Sequence, residues 1–219
     1  MILKVAQDQP FKTIKSAIEN AKDGDTIEIT KGLYKEGNII IDKPITFLGK
    51  DFPILDGELK NEIISIKSDN VTIKGLQLQN SGRMVMSDPG AVKVYDAKNI
   101  IIEGNILLNN YFGVYLQYSK HCLIKNNFIK ATQKTENQSG NGIHCWKSDS
   151  LQIIGNKIVL RALPDSKPVN LNISIFEKHN WQILETASEL SENNLDSELD
   201  QPDTTKEDSD LDFPQDTDK

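Results

Sequence analysis

Apolar and polar residues alternate in short bursts along this chain, and the bursts recur in register. Gly113–Asn127 reads GVYLQYSKHCLIKNN, Gly142–Asn156 reads GIHCWKSDSLQIIGN and Ala91–Asn105 reads AVKVYDAKNIIIEGN. Each stretch opens on a small residue, alternates, crosses a polar turn, alternates again and closes on Asn. Ile64–Leu78 is a fourth copy, one residue shorter before the turn and with Leu76 in place of the Asn. Ala91 to Gly113 is 22 residues and Gly113 to Gly142 is 29, the extra seven falling in Thr132–Gly140. Repetition at this period predicts a solenoid, because no single repeat can bury its own apolar face.

Aligning the copies predicts which residues stack. The first inward face stacks Ile64, Val92, Val114 and Ile143, then Ile66, Val94, Leu116 and Cys145. A second stacks Val71, Ile100, Cys122 and Leu151, then Ile73, Ile102, Ile124 and Ile153. The third stacks Leu76, Asn105, Asn127 and Asn156, then Leu78, Leu107, Ile129 and Ile158. Strands this short are too closely spaced for crossover helices. They can still run parallel if each coil returns the chain one layer up, at the ~4.8 Å strand spacing. The expectation is an all-β chain forming a parallel β-helix of about five coils over residues 26–160, with three short strands per coil. The Asn column predicts a buried amide ladder from coil to coil. An antiparallel sandwich would not require equivalent positions to recur in register.

The ends differ from the middle. Phe11, Ile14, Ala17, Ile18 and Ala21 have helical spacing over Phe11–Lys22, and Asp23-Gly24-Asp25 follows as a stop. Residues 1–25 therefore predict an N-terminal segment whose helix caps the open core. Thr26–Ile29 alternates as a first strand, Lys31–Tyr34 reads as a turn, and Ile39–Ile41, Ile45–Phe47 and Ile54-Leu55 follow as bursts. Two insertions, Asn80–Gly90 and Thr132–Gly140, come just after the third strand of a coil, and loops on one edge of a solenoid often line its binding side. Beyond Leu160 come Pro164 and Pro168, then an irregular stretch to residue 187 whose alternation at Leu171, Ile173 and Ile175 would add a strand or cover the open end. Residues 188–219 have the composition of a disordered acidic tail.

Charge sharpens this division. Glu185–Lys219 holds 13 acidic residues against two Lys, a net of −11, so the remainder carries +4 of the overall −7. That body is too weakly basic, and its Lys too scattered, for a nucleic-acid footprint. No apolar run approaches the ~18 residues of a membrane span, and Met1–Pro10 lacks the apolar core of a signal peptide. Two cysteines make no disulfide framework.

Alternation places the residues between inward positions on the outside. On the first face that gives Lys93, Tyr115 and His144 in one column, with Tyr95, Gln117 and Trp146 beside it and Tyr118 and Lys147 at the following turn. Exposed Tyr, Trp and His at strand spacing suit sugar stacking or soft-metal contact, and suit cross-strand packing equally. His121-Cys122 and His144-Cys145 do not make chelating pairs, because adjacent strand residues point to opposite faces; both thiols read as buried and structural. Met84 and Met86 in the first insertion are the better soft ligands, and His144 would complete a copper site if that loop folds back. Catalysis has little support. Asp69, Asp96 and Asp149 sit at turns, Arg83, Asp88 and Lys93 bring no stacked carboxylates, and Glu103 aligns with Lys74, Lys125 and Ile154.

The succession of a helix, GDTIEI, GLY, DKPITFLG, ILDG, NVTIKGLQLQNSG, GVYLQYS, IKNN and GNGI resembles the NosD type of periplasmic β-helix protein, over Phe11 to about Ile158. The resemblance implies a right-handed, pectin-lyase-like parallel β-helix and a periplasmic or extracellular location. It also implies a non-enzymatic role in copper-centre assembly of nitrous oxide reductase, beside an ABC transporter. Family members carry an export signal and run on for several more coils, neither of which this chain shows, so a truncated, non-functional copy is one alternative. Carbohydrate binding or polysaccharide cleavage on the same aromatic face is the other.

Overall fold

The computed structural model describes residues 1–83, 88–131, 141–161, 173–176, 182–184 and 187–191. After β1 (Ile2–Val5) and α1 (Ile14–Asn20), the chain winds into coils of three strands. The first holds β2 (Thr26–Ile29), β3 (Leu33–Tyr34) and β4 (Ile39–Ile41); the second β5 (Thr46–Gly49), β6 (Ile54–Asp56) and β7 (Ile64–Ile66). The third holds β8 (Thr72–Lys74), β9 (Gln77–Gln79) and β10 (Gly90–Tyr95); the fourth β11 (Ile101–Glu103), β12 (Ile106–Leu108) and β13 (Phe112–Gln117). The fifth holds β14 (Leu123–Lys125), β15 (Phe128–Ala131) and β16 (Ile143–Trp146); the sixth β17 (Gln152–Ile154), β18 (Lys157–Arg161) and β19 (Ile173–Phe176). β20 (Gln182–Leu184) and β21 (Ala187–Ser191) begin a seventh. Every strand pairs in parallel with its equivalent one coil away, giving sheets of eight, six and seven strands among the described residues.

The aligned columns are the observed register. Val92 pairs with Ile64 and Val114, Val114 with Ile143, and Leu116 with Cys145. Ile102 lies between Ile73 and Ile124, and Leu107 between Leu78 and Ile129. These side chains form one continuous buried core. The glycine that opens the 113–127 copy has a steric cause. A Cβ on Gly113 would come within 2.4 Å of the Gly142 carbonyl oxygen and 2.9 Å of Ile129.

The asparagine ladder is present. Asn127 Oδ1 accepts from both the backbone N–H and the side-chain amide of Asn105, each at 3.0 Å, and Asn156 Oδ1 does the same for Asn127. Each amide also donates inward, from Asn105 to Ile73 O, Asn127 to Ile102 O and Asn156 to Ile124 O. The stack ends on Leu76, whose N–H donates to Asn105 Oδ1.

Four details depart from the sequence expectation. The helix is shorter than Phe11–Lys22. Phe11 is held as a bridge to Val5, and the Lys22 N–H is taken by Asp25, so neither end can extend the helix. Thr13 caps its first turn through the Ser16 N–H, the Glu36 carboxylate accepts from the N–H groups of Ile14 and Lys15, and Lys43 donates to the carbonyls of Ile18 and Ala21. Charged groups from the first coil thus satisfy both ends of a helix too short to be stable alone. Second, Leu33-Tyr34 is a strand and not a turn, with Tyr34 OH donating to Thr30 O. Third, β1 extends the eight-stranded sheet beyond the first predicted strand. Fourth, among the described residues six coils are complete and the winding continues past Ile158: β19 is the added strand that the alternation at Ile173 and Ile175 allowed, while β20 and β21 pair with β17 and β18, the last reaching Ser191 inside the stretch read as tail. Residues 192–219 lie outside the described residues.

Candidate functional site: the outer face of the six-stranded sheet

The six-stranded sheet is β4, β7, β10, β13, β16 and β19, and the connections entering it are long at three of its strands. Residues 80–89 precede β10, 132–142 precede β16 and 162–172 precede β19. In chain order, each of these longer connections falls between a strand of the seven-stranded sheet and one of the six-stranded sheet. Met84 and Met86 lie outside the described residues.

On this face the structure brings together six of the seven residues singled out for binding. Lys93, Tyr115 and His144 are consecutive partners in one column, and Tyr95, Gln117 and Trp146 in the next. Tyr118 stands apart. With Asp96 and Lys147 it holds the left-handed turn position at the edge of the face, at φ 53°, and its ring is exposed.

The face is not the exposed aromatic column that simple alternation predicts. Lys93 and Tyr115 are only 7% and 6% exposed, because side chains from adjacent coils fold over one another. Tyr111, Phe112 and Tyr115 form a second apolar cluster outside the main core, with Trp146 packed against it. His144 joins it, its ring centroid 4.9 Å from that of Phe112 and 4.6 Å, edge-on, from that of Tyr115. Pairing by register placed Tyr115 beside His144. Nothing in the alternation marked Tyr111 or Phe112, which lie at the corner where the period breaks.

Sequence reading also missed Glu62, Asn38, Ser65 and Lys67. Tyr95 OH donates to both Glu62 carboxylate oxygens, at 3.0 and 2.9 Å, Ser65 donates to Glu62 and to Asn38, and Asn38 donates to Glu62 at 3.4 Å. Glu62 comes just before a strand in a coil with no insertion, so its only signal was its position two residues ahead of Ile64. Lys93 Nζ lies 5.0 Å from the Tyr95 ring centroid and 4.7 Å from that of Tyr115, and donates to the Asp88 carbonyl. Lys67 Nζ lies 5.6 Å from the same Tyr95 ring.

These surroundings set the protonation states. Burial pushes the Tyr95 phenol well above its usual range, and Glu62 adds to the shift. Burial likewise holds the His144 imidazole below its ordinary 6.5, opposed by Asp88 and reinforced by Lys93. At neutral pH His144 is therefore neutral, the form that can act as a ligand. The thiols are inert: burial pushes Cys122 up to about 12 and Cys145 higher still. His121 sits exposed at a left-handed turn, in the column of Asn70, Asn99 and Ser150, and takes no part in the face.

Among the described residues, no three His, Cys, Asp or Glu side chains gather as a metal-binding group. His144 is a single soft donor, and the described residues alone do not assemble a copper site. No helix of the described residues is long and apolar enough to cross a membrane.

Comparison with known proteins agrees with this architecture. The profile of the family described as "Periplasmic copper-binding protein (NosD)" matches residues 18–198. The "Probable ABC transporter binding protein NosD" of Pseudomonas aeruginosa is 30% identical over 139 residues, which are 62% of this chain and 32% of that protein. The chain thus spans about a third of the length of that curated relative. Among solved structures, the catalytic domain of a GH87 alpha-1,3-glucanase in complex with nigerose matches with a TM-score of 0.59 at 17% identity, over 73% of this chain and 31% of that one. This last likeness shows the fold alone.

Proposed function

Because the chain belongs to the NosD family of periplasmic copper-binding proteins, we propose that it is a non-enzymatic binding scaffold that serves copper-centre assembly outside the cytoplasm. Its working surface is the outer face of the six-stranded sheet, and its partners are copper-enzyme maturation factors and an ABC transporter. The observation that carries this reading is the concentration of functional groups on that face. A neutral imidazole, a buried lysine and a carboxylate network lie among five aromatic rings, beside the corner where the insertions leave the coil. A sheet face built only for stability has no use for a buried ammonium. His144 is the copper donor this face would offer, and Met84 and Met86 would have to complete the set.

Titration with copper(I) under reducing conditions tests the proposal. Saturable binding that weakens in Met84→Leu/Met86→Leu/His144→Ala supports it, and binding unchanged by those substitutions overturns it. A second reading, carbohydrate recognition, is favoured by two half-buried aromatic side chains in one column of this face, Tyr95 bonded to Glu62 and Trp146 two strands away. A glycan panel distinguishes the two: sugar binding lost in Trp146→Ala, with no copper affinity, would put carbohydrate first.

A further inference from the structure

Asn141 lies in the long connection before β16, three residues ahead of His144, and its side-chain Nδ2 is 3.3 Å from His144 Nδ1. Both residues are also held from other directions. The Gly113 N–H donates to the Asn141 carbonyl at 3.3 Å, which ties the backbone there to the neighbouring coil. The imidazole plane is fixed by Phe112, whose ring is tilted 37° to it, and by the edge-on ring of Tyr115. A ring held in this plane with Nδ1 toward Asn141 turns Nε2 the opposite way. A neutral imidazole carries one N–H and one bare nitrogen, and the partner of one nitrogen decides the state of the other. An asparagine amide both donates and accepts, so it can serve Nδ1 in either state. Aspartate could serve it in one state only, and leucine in neither.

We propose that Asn141 is a positioning residue for His144: it holds the ring through Nδ1 and so makes Nε2 the ligating nitrogen that the face offers to a soft cation. The proposal rests on the reading of His144 as a copper donor, and it adds which nitrogen ligates and what holds it. With Asn141 Nδ2 donating to a bare Nδ1, the hydrogen of the neutral ring is on Nε2. For Nε2 to offer its lone pair, that hydrogen goes to water, a second comes from water to Nδ1, and the amide turns so that Oδ1 accepts from the new Nδ1–H. The ring is neutral before and after, and no net proton is released. An amide at this place therefore serves both states, whereas a carboxylate would hold the ligating state permanently. Partners on the far nitrogen of a ligating histidine set its tautomer and orientation in this way.

The test uses the full, metal-free chain, isotope-labelled at the histidine nitrogens and read by long-range proton–nitrogen NMR correlation at a pH where His144 is neutral. His144→Ala identifies its signals among those of the three histidines. Wild-type His144 is expected to show one tautomer, with the hydrogen on Nε2. Asn141→Asp replaces the amide with a group of the same shape that only accepts, and should move the hydrogen to Nδ1; Asn141→Leu removes the partner and should populate both tautomers. A merely structural role would change the melting temperature without moving the hydrogen. In copper(I) competition, Asn141→Leu should weaken binding about tenfold, the lower end of the usual loss for such partners, and Asn141→Asp should restore it. The same tautomer in wild type and Asn141→Asp overturns the proposal, as does copper bound equally tightly by wild type and Asn141→Leu. If none of these proteins binds copper, the copper reading fails, while the tautomer shifts still establish Asn141 as the residue that sets the ring.

Discussion

Replacing Asn127 with Leu isolates the hydrogen bonds of the ladder from its packing. The column already accommodates a leucine at Leu76, fully buried, so the substitution keeps the interior filled. What it removes is specific. The Asn105 N–H loses Asn127 Oδ1, its acceptor, and is left buried without another; that costs about 1–3 kcal/mol. The other losses are smaller, since the Asn105 amide keeps Ile73 O and Asn156 Oδ1 keeps the backbone N–H of residue 127. The added apolar surface offsets part of these, which leaves a net loss of about 1–3 kcal/mol. At about 2–4 °C per kcal/mol for a chain of this size, melting should fall by about 2–12 °C. Because a coil contacts only its neighbours, the damage should stay local, with amide exchange quickening at Asn105 and its adjacent coils and hardly at β2. Asn105→Leu/Asn127→Leu should cost less than the sum of the single changes, because Asn105 Nδ2 and Asn127 Oδ1 disappear together. An unchanged melting temperature with Asn105 still protected would refute the ladder as a source of stability.

Further outcomes follow from the same geometry. Glu36→Ala should destabilise the N-terminal cap by about 1 kcal/mol, visible as faster amide exchange at Ile14 and Lys15. Gly113→Ala drives a Cβ into the Gly142 carbonyl oxygen and should cost about 1–3 kcal/mol, measured by denaturation, whereas Gly24→Ala, in open space, should cost only its left-handed backbone strain. His144 has a folded pKa below its unfolded 6.5, so the unfolded chain takes up the proton first. Stability from this group is full above about pH 6.5 and falls as pH drops toward the folded value, and His144→Gln should remove that part of the pH profile. Asp56 is opposed by burial but held low by hydrogen bonds from Gln79, the Glu58 N–H and Asn80. Its contribution is present above the ordinary 3.8 and lost as pH falls below it, and Asp56→Asn should flatten the acid limb.

The coils were legible because period-two alternation, repeated four times, leaves one self-consistent register. Val92 and Val114 could not share a face unless the chain wound once between them. The Asn column was legible for the same reason: an amide at one position of every coil has its partner at the same position of the next. Legibility failed where contacts are not periodic. Phe11 was given to the helix because its spacing fits, yet a bridge to Val5 holds it in the sheet. The first face was placed correctly and its burial was not, since alternation gives direction but not what covers a side chain. Glu62 reaches Tyr95 from 33 residues away through a corner, a contact that no spacing rule encodes. The strand at Ile173–Phe176 was one of two outcomes that the alternation allowed, whereas β20 and β21 were missed because they pair in register without repeating the earlier sequence.

The claim on which the account depends is that copper is received on the outer face of the six-stranded sheet. Trp146, packed against the cluster that holds Tyr115 and two residues beyond His144 on β16, is a built-in reporter. The decisive measurement is its fluorescence during copper(I) titration under reducing conditions, with Trp181→Phe removing the other indole. The account predicts saturable quenching that His144→Ala abolishes or shifts to higher copper. Tight copper binding with Trp146 emission unchanged would contradict it.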